Sequence, residues 1–103
     1  MADVRAQRET IVERVLTGPG TASAEQRRAA FENAGVAEPA RVLIDKVART
    51  AYKVTDEDIA AARAGGLSED EIFELTICAA IGVATRQHEA AHAALTAALE
   101  GRS

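Results

Sequence analysis

Residues 88 to 92 read HEAAH, which matches the pattern His-Glu-x-x-His. On a helix, His88 and His92 lie one turn apart on a common face and can share a zinc ion, and Glu89 can then serve as base towards a metal-bound water. A catalytic zinc needs a third protein ligand. Only eleven residues follow His92, and their one acidic candidate is Glu100, without the usual glycine turn or second helix. An upstream carboxylate or a neighbouring subunit would have to complete the site. The plainer expectation is a pair of surface histidines on an alanine-rich helix and no cofactor, with zinc as the alternative.

The other reactive side chains are few. Cys78 is the only cysteine and sits within an apolar run, where burial raises a thiol's pKa and keeps it inert. Asp56, Glu57 and Asp58 follow Thr55 and fall in the first turn of an expected helix, where carboxylates complement the helix dipole and the free N–H groups. A metal or catalytic role for them is the sharper alternative. Tyr52 reads as a hydroxyl-tipped aromatic closing a buried helix. Gly18-Pro19-Gly20 and Gly65-Gly66 are breakers with no Lys-Ser/Thr after them, so no phosphate-binding loop is present.

These residues must be positioned by helices. At 103 residues the chain makes one domain, and its 48% hydrophobic content is mostly alanine with Val, Leu and Ile. Aromatics amount to 3% (Phe31, Tyr52 and Phe73). Alanine buries little surface, so a lone copy would have a thin core, and association with further copies adds buried area. Twelve basic and sixteen acidic side chains leave a net charge of -4, spread along the chain. Nucleic-acid binding requires a concentrated basic patch, and none is present. The longest apolar run, Leu75 to Ala84, is too short to span a bilayer, and the start of the chain has no signal core. With no possible intrachain disulfide, a cytoplasmic protein is expected.

Read in order, Val4, Ile11, Val12, Val15 and Leu16 form one helical stripe, with Asp3 as N-cap, ended by Gly18-Pro19-Gly20. Ser23 with Gln26 opens a short helix that turns Ala30, Phe31 and Ala34 inward and stops at Asn33-Ala34-Gly35. Pro39 is expected as first residue of a third helix, whose inner face is Ala40, Leu43, Ile44, Val47, Ala48 and Ala51. Arg41, Asp45, Lys46 and Arg49 form its solvated face. Thr55 opens a fourth helix, stopped by Gly65-Gly66. Ser68 and Glu71 make a capping box, with Leu67 stapled onto Ile72. From Glu69 the helical pattern runs almost to the end. Its Leu75–Ala84 part is apolar nearly all round and should be enclosed by other helices or another subunit. Beyond Thr85 the apolar side is Ala91, Ala94, Leu95, Ala98 and Leu99, and Gly82 permits close backbone approach or a kink. The expected class is all-α, with five or six helices in one domain: 1–37 as N-terminal helices and 38–103 as the core.

The segment Leu43 to Arg86 resembles the alkylhydroperoxidase D-like and carboxymuconolactone decarboxylase family, through VARTAYKV and then DEDIAAARAGGLSEDEIFELTICAAIGVATR. The resemblance implies a multi-helix oligomer, commonly a trimer or hexamer, built on contacts of the apolar helix. Reactive members of that family reduce peroxides with a Cys-x-x-Cys pair and a Glu and His relay. At the family's spacing the two cysteine positions fall on Ala51 and Val54 and the histidine position on Asp58. The glutamate position falls near Pro39, with Glu38 one residue off. No member of the redox site is matched, so dithiol peroxidase chemistry is not expected. A surviving ancestral pocket would hold Tyr52, Lys53, Asp58 and residues of the apolar helix such as Cys78. The leading expectation is therefore a non-peroxidatic homo-oligomer acting as scaffold, accessory subunit or binder of a protein or small ligand. The alternatives are a cysteine-independent lyase acting on a small carboxylated molecule and a zinc hydrolase at His88 and His92.

Overall fold

The computed structural model describes residues 4–101, so the expected Asp3 cap lies outside the described residues. Five α-helices follow one another: α1 (Val4–Thr17), α2 (Ala24–Glu32), α3 (Arg41–Thr50), α4 (Asp56–Ala64) and α5 (Glu69–Glu100). A single 3-10 turn, Ala51–Lys53, joins α3 to α4. No strand occurs among the described residues.

The helix starts follow from local chemistry. Ser23 accepts from the backbone of Gln26 while the Gln26 side chain accepts from the backbone of Ser23, and Ser68 with Glu71 repeats the arrangement at α5. Thr55 and Asp58 do the same at α4. Each such cap satisfies N–H groups that a helix leaves open and contributes about 1 kcal/mol. Asn33 closes α2 in the left-handed conformation at φ 50°, and Gly66, at φ 113°, makes the turn between α4 and α5. The start of α3 differs from expectation. Pro39 lies in the preceding turn, where the amide of Ala40 donates to the carbonyl of Ala37, and α3 begins at Arg41 with Ala40 as cap.

Two small apolar clusters hold the helices. Ala22, Ala30, Ala40, Ile44, Leu75, Cys78 and Ala79 form the larger, and Leu43, Ala62 and Ile72 the smaller, with Val47 and Leu67 packed against both. Leu67 thus staples the entry of α5 as its sequence position suggests. The larger core is mostly alanine, and only Ile44 and Cys78 are large side chains buried completely. At Gly82 α5 passes so close to the end of α2 that a Cβ there would fall on the carbonyl of Phe31. Arg86 then donates to that same carbonyl at 2.6 Å.

Three inward assignments are corrected. Ile11, Ala34 and Ala51 are exposed, because α1 meets the body mainly through Val15 and Leu16, α2 ends before Ala34, and Ala51 enters the 3-10 turn. Arg27, one turn before Ala30, is buried instead.

The molecule is long. Its extents are 57 × 28 × 20 Å and its radius of gyration is 16.0 Å, against about 13 Å for a compact domain of this size. The cause is α5, unbroken through Gly82, whose residues from Arg86 to Glu100 are all exposed.

Candidate functional site

The positions that the resemblance singles out, Ala51, Val54 and Asp58, lie at the junction of α3 and α4. Ala51, Tyr52 and Lys53 make the exposed 3-10 turn, with Tyr52 84% exposed and the Lys53 ammonium 5.9 Å from its ring centroid. Val54 is half-buried against Leu43, Ala62 and Ile72. Asp58 accepts from the Thr55 amide and hydroxyl, and both of its oxygens are 2.9 Å from the Lys46 ammonium. Lys46 first, and the Thr55 amide next, hold the Asp58 carboxyl below its ordinary pKa. A carboxylate held this way is an anchor for α4 and a poor proton carrier near neutral pH.

Cys78 belongs elsewhere. Its thiol is buried in the alanine-rich cluster and donates to the carbonyl of Val15 at 3.6 Å. Burial raises its pKa, so little thiolate forms. Its charged neighbours are Arg27 and Glu74, residues that the sequence reading did not single out. Arg27 Nη1 donates to the carbonyls of Gly18, at 2.7 Å, and Val15, at 3.3 Å. Glu74 accepts from the amides of Thr21, at 2.9 Å, and Ala22, at 3.0 Å, which lower its pKa. Together these two side chains satisfy the backbone of the α1–α2 turn, and among the described residues Arg27 Nε alone is a buried side-chain nitrogen or oxygen without a partner. The residues named for a surviving pocket are therefore split between two places: Tyr52, Lys53 and Asp58 at the α3–α4 junction, Cys78 beneath the α1–α2 turn.

Open grooves lie elsewhere. One of about 610 Å³ runs along α3 past Asn33, Val36, Arg41, Val42 and Asp45. Another of about 340 Å³ separates α1 from α5, between Arg8, Val12, Arg28, Thr85 and Glu89. His88 and His92 are exposed on the projecting part of α5, and no group of three His, Cys, Asp or Glu among the described residues is placed to hold a metal ion.

What the structure does assemble is a surface. The body covers only one side of the apolar run: Leu75, Cys78, Ala79 and Gly82 are buried, Ile77 and Ile81 half-buried, and Ala80 and Ala84 exposed. Phe73 is 66% exposed on the same outward side. Farther along, Leu95 and Leu99 are 59% and 56% exposed. Ile77, Ile81, Ala84, His88, Ala91, Leu95 and Ala98 recur at alternating steps of four and three, the period of helices that pair side by side. The flanking positions, Ala80, Thr85, Gln87, His92, Ala94 and Leu99, contain no Asp, Glu, Lys or Arg. Arg86, Glu89 and Glu100 stand on the other sides of the helix. The sequence reading found the apolar residues of this stripe and expected its first half to be enclosed by other helices or another subunit; the body of this chain covers it on one side only.

Comparison with family models, with curated proteins and with solved structures found no match in any of the three. Among the described residues no helix is long and apolar enough to cross a membrane.

Proposed function

We propose that the protein is a non-peroxidatic self-association module, a scaffold or accessory subunit that assembles by pairing the outer face of α5 with α5 of a second copy. The uncharged seam from Ile77 to Ala98 carries this reading. A seam with no fixed charge meets its own image without like-charge repulsion, whereas a partner selected by charge would find nothing there to read. The projecting, unpacked half of α5 supports it, since it leaves apolar surface that pairing would remove from water, and the small alanine-rich core leaves little stability without that addition. The resemblance to the alkylhydroperoxidase D-like family agrees with an oligomer built on the apolar helix. Pairwise α5 contacts can close as a dimer or recur within the trimer or hexamer that the resemblance implies.

The seam spans 22 residues, or about 33 Å of helix about 10 Å wide. That is roughly 700 Å² over both copies, below the size of most stable interfaces, so pairing through α5 alone is weak and reversible. A lyase reading would require a desolvated cavity around Tyr52 and Asp58, where an exposed ring and an ion-paired helix cap are found.

Light scattering on the eluting, untagged, EDTA-treated protein tests the reading. The wild type is expected at a multiple of its 10.8 kDa chain mass at high micromolar concentration, and Leu95→Glu at the chain mass. Leu95 belongs to neither core cluster, so the variant keeps its fold. A wild type at the chain mass at every concentration would overturn the proposal.

A further inference from the structure

We infer that His88 and His92 form half of a transition-metal site that a second copy completes, so that an ion such as zinc locks the α5 pair. The inference rests on the α5 pairing proposed above. Both imidazoles are exposed, and neither has a hydrogen-bond or ion-pair partner among the described residues. They stand one turn apart on an unbroken helix, the spacing at which two imidazoles reach one ion. Glu89 lies off the seam and does not compete for this face.

The position within the seam supplies the missing ligands. One copy offers two ligands where a closed zinc site takes four, and no third group converges on them. His88 lies eleven residues after Ile77 and ten before Ala98, at the middle of the seam. Parallel in-register pairing therefore brings His88 of the two copies face to face, and antiparallel pairing about the same point brings them within about one helical turn of each other. His92 of each copy flanks that point. Four neutral imidazoles around one axis are a donor set suited to zinc, nickel or copper and unsuited to calcium or magnesium. An ion that binds only the pair strengthens it by mass action, which matters most for an interface as small as this one.

Zinc chloride added to untagged, EDTA-stripped protein tests this, with titration calorimetry and sedimentation velocity as readouts. The expected result is one ion per two chains and a dimer constant tightened by about tenfold or more, with magnesium inert. His88→Ala and His92→Ala should each abolish the zinc response while their metal-free association stays within about twofold of wild type, since alanine suits the seam. Leu95→Glu should retain only weak zinc binding by single chains. Zinc bound at one ion per chain without a change in mass would overturn the inference. So would an undiminished zinc response in both histidine variants. Failure of the pairing itself is read separately, from the metal-free wild type remaining at the chain mass.

Discussion

Replacing Gly82 with alanine probes the closest contact in the fold. In an exposed helix interior the change is stabilising by about 1 kcal/mol, because alanine loses less backbone entropy than glycine. Here the added methyl would fall on the carbonyl oxygen of Phe31, with that residue's carbonyl carbon and Cα at 2.8 and 3.1 Å. The obstacle is backbone, so α2 has to move away from α5, and overpacking of this kind costs about 1–3 kcal/mol. The same displacement stretches the Arg86 bond to Phe31, worth about 1 kcal/mol more. The sum exceeds the helix-propensity gain. Gly82→Ala should destabilise the chain by about 1–3 kcal/mol, lowering the thermal midpoint by at least about 4 °C. Urea unfolding of EDTA-treated protein at one low micromolar concentration measures it, with Ala90→Gly on the free part of α5 as reference. The reference should cost about 1 kcal/mol through propensity alone. An unchanged or raised midpoint for Gly82→Ala would refute the close α2–α5 packing.

The remaining predictions concern two hydrogen-bonded carboxylates and the buried thiol. Asp58, held low chiefly by Lys46, and Glu74, held low chiefly by the Thr21 amide, have folded-state pKa values below those of the unfolded chain. Their stabilisation is full above the unfolded carboxylate range and is lost as the pH falls through the folded one. The urea midpoint should fall between pH 6 and pH 3, and Glu74→Gln should both cost about 1 kcal/mol at neutral pH and flatten part of that fall. A variant with the wild-type acid slope would remove Glu74 from the account. Cys78, buried with a raised pKa, should react with a thiol reagent at least about a hundredfold faster in urea than in buffer; equal rates would place the thiol at the surface. Cys78→Ser should leave any peroxide-dependent turnover unchanged, and a large loss would restore a redox role.

Much of the fold is legible because helix boundaries are written locally. Ser23 with Gln26 and Ser68 with Glu71 are capping boxes in the sequence and in the structure, and Gly65-Gly66 ends α4 in both. Asp58 was visible as a first-turn carboxylate and as a position in the resemblance, but its reach to Lys46 depends on how α3 and α4 cross. Arg27 and Glu74 meet through the α1–α2 turn, across more than forty residues, and no periodicity announces such a pair. Pro39 fits a helix start by type, yet it occupies the turn before Arg41. The Leu75–Ala84 run shows the limit most plainly. Its composition indicates enclosure on all sides, but it does not say which side the body covers and which it leaves open. The structure separates the two: Leu75, Cys78 and Ala79 face the body, and Ile77, Ala80 and Ala84 lie along the outward seam.

Cross-linking at the seam tests the central claim most directly. With Cys78→Ser as background, His88→Cys puts a lone thiol at the middle of the seam, and Ala90→Cys puts one on a face of α5 turned away from it. Disulfides form only where the two Cα atoms come within about 7 Å. Mild oxidation of the full chain should convert most of the His88→Cys protein to a covalent dimer and little of the Ala90→Cys protein. Equal cross-linking of the two, or none at position 88, would contradict pairing through this face.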